Sequence, residues 1–204
     1  MNFPVSDAHA AVIMAAGISE RLGQPKQLLR RDGETLLHRM ARLAAATGPA
    51  ILVIALPAHA HGMADLLRDI PGLKIVHPEP GRGMGASLQA AAPWVTACHR
   101  VLVLGCDQPA LESPHLHALL DGAAGSASGC AATVLSGTVG VPAVVPGSWF
   151  DALDAAPGNA GFRDRLRTLP RQQLTMIHAP ALALDIDTLE DLRMARGQGL
   201  IDPP

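Results

Sequence analysis

Apolar residues along this chain gather into short, nearly continuous runs, and the stretches between them have helical spacing. Ala10–Ala15, Ile51–Leu56, Leu73–Val76, Val101–Leu104 and Cys130–Leu135 are such runs. They predict strands covered on both faces, because a strand half open to water would alternate apolar with polar residues. Between them, Thr35–Ala46 sets Leu36, Leu37, Met40 and Leu43 on one helical face and stops at Gly48-Pro49. Ala60–Arg68, Gly85–Ala92 and Ser113–Leu120 are the next predicted helices. The strand–helix rhythm predicts an α/β fold, a single domain with a mostly parallel Rossmann-like sheet and helices on both faces. We place that domain at residues 11–204, after an N-terminal arm of residues 1–10. In such sheets ligands bind beyond the carboxyl ends of the strands.

The first run leads straight into candidate chemistry. It ends in Ala15-Ala16-Gly17-Ile18-Ser19, small residues whose backbone N–H groups can turn to a ligand with no Cβ in the way. Arg21 and Lys26 follow, while Gly23 and Pro25 keep the segment out of regular helix. Backbone donors in a concave nest, backed by two cations, suit an anionic, phosphorylated ligand. The spacing excludes a Walker A loop, since Gln27 follows Lys26, and Gly17-Ile18-Ser19 excludes a dinucleotide fingerprint here. A second glycine loop, Gly81-Arg82-Gly83-Met84-Gly85-Ala86, does fit the looser dinucleotide pattern. Pro78 and Pro80 separate it from the preceding strand and argue against that use, and Ser87 is placed to cap the helix that follows.

Two acidic segments stand out. Asp107, in Gly105-Cys106-Asp107-Gln108-Pro109, is a lone carboxylate at the end of a buried strand. Mg²⁺ commonly takes only one or two protein carboxylates and fills its octahedron with phosphate oxygens and water, so Asp107 is a candidate metal ligand. The alternative is a turn-capping aspartate. Further on, Asp187 and Glu190 have the spacing of a capping pair for the last helix. The pairs His59/His61 and His115/His117 have no cysteine or carboxylate at ligand spacing, and i and i+2 do not share a helix face, so we read them as surface residues.

Composition removes several function classes. Aromatic residues make up 2% of the chain, too few for a platform that stacks single-stranded nucleic acid. A net charge of −2 gives no reason to expect nucleic acid or an anionic membrane as partner. Nearly all cations are arginine, the lysines being Lys26 and Lys74, which makes a lysine in the anion loop informative. Cys98, Cys106 and Cys130 are odd in number and lack a C-x-x-C, as expected of small hydrophobes in a reducing compartment. The arm carries Asp7 and no basic stretch, unlike a signal peptide, and no apolar run is long enough to span a bilayer. The expected location is the cytoplasm.

The loop resembles the nucleotidyltransferase signature A-A-G-x-S-x-R-x-G-x-x-K, complete here as Ala15, Ala16, Gly17, Ser19, Arg21, Gly23 and Lys26. Gly83-Met84-x-x-Ser87, Cys106-Asp107-Gln108-Pro109 and Asp185-Ile186-Asp187-Thr188 extend the resemblance over nearly the whole chain. They look most like the molybdenum cofactor cytidylyltransferase branch, whose guanylyl-transferring cousins typically have A-G-G at Ala15-Ala16-Gly17. The resemblance implies a fold of the nucleotide-diphospho-sugar transferase type, CTP as donor and a molybdopterin-type acceptor. It implies Arg21, Lys26 and Asp107 as catalytic residues, and Ala15, Ala16, Gly17, Ser19, Gly83, Met84 and Ser87 as nucleotide-binding residues. Mg²⁺ is implied on Asp107, with either Asp185 or Asp187 as a further ligand. Ser136–Val145 resembles the family's G-x-P segment and Gly158–Arg163 its G-D-x-G-A-R segment, with Asn159 and Phe162 departing from it. A molybdoenzyme or its maturation chaperone is a further candidate partner. Transfer to a sugar phosphate or isoprenoid precursor, and non-catalytic carriage of the cofactor, are the alternatives.

Overall fold

The structure is a computed structural model that describes residues 8–59, 62–79, 83–135, 137–155 and 162–204. In chain order the strands are β1 (His9–Met14), a short hairpin of β2 (Arg30–Arg31) and β3 (Glu34–Thr35), β4 (Ile51–Ala55), β5 (Leu73–Val76), β6 (Arg100–Gly105), β7 (Cys130–Leu135), β8 (Thr138–Pro146) and β9 (Leu174–His178). The helices are α1 (Leu36–Ala46), α2 (Gly83–Val95), α3 (Ser113–Ala124), α4 (Arg163–Thr168) and α5 (Leu189–Gly197). Seven strands form one sheet in the order β5-β4-β1-β6-β8-β7-β9. β5, β4, β1 and β6 are parallel, β8 runs against both of its neighbours, and β9 is parallel to β7. One reversed strand in seven leaves the sheet mostly parallel, as the alternating runs predict.

Each central strand sends alternate residues to opposite faces, and both faces are apolar. From β1, Ala11 and Ile13 enter a core with α1, α3 and α5 through Leu37, Met40, Leu116, Leu119 and Leu192. Ala10 and Val12 enter the opposite core with α2 and α4 through Leu88, Ala91, Val95 and Leu166. That second core holds Trp149, Phe150 and Phe162, with ring centroids 4.9 Å apart for the two phenylalanines. Register puts Met14 beside both Ala55 and Gly105, so β4, β1 and β6 end level and form one straight carboxyl edge. The cleft opens there.

Several expectations need correction. Ala64–Leu67 is a 3-10 turn where a helix over Ala60–Arg68 was expected, with residues 60 and 61 outside the described residues. α2 begins at Gly83, in the left-handed region at φ 67°, so Ser87 lies one turn inside the helix and buried rather than at its cap. The last helix is capped by Thr188 and Asp191, which exchange hydrogen bonds in a capping box, and not by Asp187 and Glu190. Asp187 is thereby free to turn to the cleft. The G-x-P segment is strand β8, whose Pro142 and Gly140 dilute the apolar pattern of Val141, Ala143 and Val145. His9 and Ala10, counted in the N-terminal arm, open β1. Ser136, residues 156–161 and the start of the second glycine loop lie outside the described residues. His115 is half-buried, and its ring Nδ1 accepts the Glu112 backbone N–H at 3.1 Å.

A polar cluster fixes the hairpin against α1. Glu34 takes two hydrogen bonds from Arg42, both 2.8 Å, and one from His38 at 2.6 Å. The Arg42 contact, assisted by His38, holds the Glu34 carboxyl well below the usual range, at about 2. A depressed carboxylate contributes stability that is fully present above its unfolded pKa and is lost as pH falls through the folded value. Chemical denaturation between pH 5 and pH 2 should therefore show wild type losing about 1–2 kcal/mol more than Glu34→Gln across roughly pH 4.5 to 2. Parallel curves for the two proteins would show that the pair contributes nothing.

Candidate active site

The loop after β1 is stitched into shape by its own far end. Ser19 takes the left-handed conformation at φ 55° and Gly23 at φ 73°, which turns the chain back on itself. The Lys26 backbone N–H then donates to Ser19 Oγ at 3.3 Å. Gln27, 1% exposed, donates from Nε2 to the Ala15 carbonyl at 2.7 Å and to the Gly17 carbonyl at 2.8 Å. A Cβ built on Gly17 meets nothing within 4 Å, so open space stands over the middle of the loop.

Three distant segments meet at one ammonium. Lys26 Nζ donates to Asp107 Oδ2 at 3.0 Å and to Asp187 Oδ1 at 2.7 Å. Arg21 donates to the other oxygen of Asp187 at 3.0 Å. Burial works against the ammonium, but the Asp107 charge and the hydrogen bonds that Lys26 donates to both carboxylates outweigh it and raise the pKa of Lys26. The Lys26 hydrogen bond in turn lowers that of Asp187. Magnitudes rank the two cations. Lys26 is 13% exposed, where hydrogen bonds to a charged group contribute about 1.5–3 kcal/mol. Arg21 is 71% exposed, where an ion pair contributes about 0–1 kcal/mol. Lys26 is the anchor and Arg21 a loose arm.

Backbone geometry brings the carboxylates in. A Cβ on Gly105 would lie 2.5 Å from Asp107 Oδ1, so only glycine at the end of β6 lets that carboxylate fold back over the strand. The Ile186 N–H donates to the Asp107 carbonyl at 2.9 Å, which pins the Asp185–Asp187 segment beside the strand end. Gln108 Nε2 reaches the Val141 carbonyl at 3.2 Å and so ties the same turn to β8. Behind it, Arg31 donates to the Pro109 carbonyl at 2.6 Å and pairs with Glu112 at 3.0 Å. Gly105, Gln27 and Arg31 are positioning groups that sequence reasoning missed; only Gly105, a glycine closing a buried apolar run, left a readable signal.

The donor set suits a hard cation with few protein ligands. Asp107 and Asp187 already share one positive charge, the Lys26 ammonium, which stands where a cation is favoured. Among the described residues no three His, Cys, Asp or Glu side chains gather as a metal cage. Mg²⁺ fits such a place, because it is held by one or two carboxylates plus substrate phosphates. Asp185 is exposed as a residue, yet the chain crowds its carboxyl; that burial, followed by the Asp107 charge, pushes it up to about 6.

The structure thus collects Ala15, Ala16, Gly17, Ser19, Arg21, Lys26, Asp107, Asp185 and Asp187 at one edge of the sheet. Met84 stands apart, 41% exposed at the start of α2, where with Leu88, Met14, Val141, Phe162 and Arg163 it lines an apolar crevice. Gly83 sits beside it, and Ser87 is buried behind both. Cys106 and Cys130 are buried thiols, Cys98 is half-buried, and all three are unpaired.

A doubly wound sheet with an anion loop on its first strand and paired carboxylates beyond its ends defines a nucleotide-handling α/β domain. The family model of the MobA-like NTP transferase domain matches residues 11–175, and the chain belongs to that family. A probable molybdenum cofactor guanylyltransferase of Synechococcus elongatus is 36% identical over 118 residues, which cover 58% of this chain and 57% of that protein. The chain thus spans little more than half the length of that curated relative. The crystal structure of the Rv0371c homologue from Mycobacterium sp. strain JC1 matches with a TM-score of 0.74 and 26% identity, covering 95% of this chain and 98% of that one. Rv0371c of Mycobacterium tuberculosis in complex with manganese shares the fold, with a TM-score of 0.71 and 23% identity over 92% of this chain and 96% of that one. Among the described residues no helix is long and apolar enough to cross a membrane.

The raised carboxyl of Asp185 gives a test of this crowding. A carboxylate whose folded pKa is raised stabilises the fold at low pH and loses that contribution as pH climbs through the folded value. In EDTA, Asp185→Asn should therefore be more stable than wild type at pH 7–8. The gain should shrink as pH falls below about 6 and vanish near pH 4. A stability difference that ignores pH in urea denaturation would show that neither burial nor the Asp107 charge raises the Asp185 carboxyl.

Proposed function

We propose that this protein transfers a cytidylyl group from CTP to the phosphate of a molybdopterin-type molybdenum cofactor in the cytoplasm and releases pyrophosphate. The observation that carries the reading is the meeting of Lys26 with Asp107 and Asp187 at the carboxyl edge of β1 and β6. Cations for a polyphosphate and carboxylates for its metal stand at a single point there.

An oxygen of the acceptor phosphate attacks the α-phosphorus of CTP, a new P–O bond forms, and the bond to the bridging oxygen of pyrophosphate breaks. No covalent enzyme intermediate is required; alignment and charge neutralisation supply the acceleration. Lys26 and Arg21 leave their carboxylates for the β- and γ-phosphates and hold the departing pyrophosphate. Mg²⁺ held by Asp107, with Asp187 or Asp185, would neutralise phosphate charge and polarise the α-phosphate. The backbone of Ala15, Ala16, Gly17 and Ser19 lies along the triphosphate. Gly83, Met84 and Ser87 shape the base and ribose side. The same apolar crevice is lined by Val141, Phe162 and Arg163, from the two segments that the family resemblance gives to the acceptor, so the base and acceptor sides meet there. A different phosphorylated acceptor, or carriage without catalysis, would separate from this reading in a panel of acceptors with labelled CTP.

Donor choice is the finer point. Ala16 sets a methyl group where guanylyl-transferring relatives have glycine, which narrows the pocket against a purine. The name of the Synechococcus relative favours GTP instead. Pyrophosphate release on molybdenum cofactor decides between them: CTP should be the better donor, and Ala16→Gly should gain GTP use. A wild-type preference for GTP would move the protein to the guanylyl branch.

Lys26→Ala should lower turnover by roughly tenfold to a thousandfold with the fold intact, because the lost contact strengthens in the transition state. Asp107→Asn should nearly abolish turnover, with partial recovery at high Mg²⁺, since an amide is a poor ligand for a hard cation. Normal turnover of Asp107→Asn at ordinary Mg²⁺ would move the metal to Asp185 and Asp187.

A further inference from the structure

Gln27 follows Lys26 in the same 3-10 turn, Lys26–Leu28, and points the opposite way. Lys26 reaches out to the carboxylates of the cleft, while the Gln27 amide is buried beneath the loop. Its Nε2 holds the carbonyls of Ala15 and Gly17. In a planar trans peptide the carbonyl of one residue and the N–H of the next point in opposite directions. Tying the Ala15 and Gly17 carbonyls inward therefore turns the N–H groups of Ala16 and Ile18 outward. Among the described residues neither N–H meets a backbone carbonyl. The space above them is open, as the unobstructed Cβ position of Gly17 shows.

The amide is an unlikely choice for stability alone. Gln27 Oε1 is buried with no hydrogen-bond partner among the described residues, an arrangement that costs free energy. An apolar residue of similar length would fill the same volume without an orphaned oxygen. What it lacks is a pair of donors to aim two peptide planes.

We infer that Gln27 is a positioning residue: its side-chain amide orients the loop so that the Ala16 and Ile18 N–H groups form the backbone half of the triphosphate site, with Lys26 as the charged half. The inference rests on the nucleotidyltransferase reading of this loop and adds the device that preorganises it. One turn of chain thus carries both halves, the Lys26 ammonium and the amide that aims the two N–H groups.

Inorganic tripolyphosphate, without base, ribose or metal, is the probe. In the full chain, labelled with ¹⁵N, its addition in EDTA should move the Ala16 and Ile18 amide resonances downfield. Gln27→Met should bind it at least tenfold more weakly by calorimetry, with a thermal midpoint equal to or above that of wild type. Gln27→Glu should bind more weakly still, because a carboxylate repels both carbonyls and the anion. Tripolyphosphate binding by Gln27→Met equal to that of wild type would overturn the role of Gln27 and leave the proposed function standing. Should Gln27→Met not fold, the wild-type spectrum decides: tight binding with unmoved Ala16 and Ile18 resonances also overturns the inference. A wild type that binds neither tripolyphosphate nor any nucleotide removes the anion loop, and the proposed function with it.

Discussion

One ammonium organises this molecule at its working edge. Lys26 is held by Asp107 and Asp187, which lie 81 and 161 residues away along the chain. Without a cation between them, those carboxylates, with Asp185 close by, would repel one another at the strand ends. With it, the loop after β1, the end of β6 and the segment before α5 become a single unit. The same charge that closes the site is the one a polyphosphate would claim. Lys26 therefore changes partners rather than entering or leaving the cleft.

Around that point the fold acts as a frame of level strand ends and short ties. β4, β1 and β6 stop in register, and Gly105 provides the space for Asp107 to turn back. Thr188 and Asp191 satisfy the start of α5 between themselves, which leaves Asp187 for Lys26 and Arg21. Arg31 reaches from the β2–β3 hairpin to the Pro109 carbonyl, and Asp202 holds the hairpin by accepting the N–H groups of Asp32 and Gly33. Each tie is modest, but together they hold three carboxylates and two cations within hydrogen-bond reach of a common cleft.

Much of this was legible in the residues. Buried parallel strands write themselves as apolar runs, so β1, β4 and β6 and the cleft at their ends were readable from periodicity. The signature loop was readable because its small residues and cations stand at fixed spacing. What escaped depends on contacts remote in sequence. β8 is built from Val141, Ala143 and Val145 around Pro142 and Gly140, and no local rule turns that into a central antiparallel strand. Gln27 reads as one more polar loop residue until Ala15 and Gly17 are seen folded over it. The cap of α5 was misread by one position because Asp187-Thr188-Leu189-Glu190-Asp191 offers two candidate pairs, and only the geometry selects Thr188 with Asp191.

The reversal of β8 has a consequence for the order of assembly. β7 and β8 form a hairpin whose pairing is closed by residues three positions apart, Leu135 opposite Thr138, whereas β6 must find β1 from some ninety residues away. Such local pairing closes fast, and long-range pairing waits on the entropy of larger loops. The contacts of Asp187 that complete the cleft also span long loops, 161 residues to Lys26 and 166 to Arg21, and sit outside both apolar cores. Regions of that kind open most easily in a folded domain, through fluctuations that leave the core intact. By that reasoning the hairpin of β7 and β8 pairs early, and the cleft edge at the ends of β1 and β6 is the last part to lock and the first to loosen.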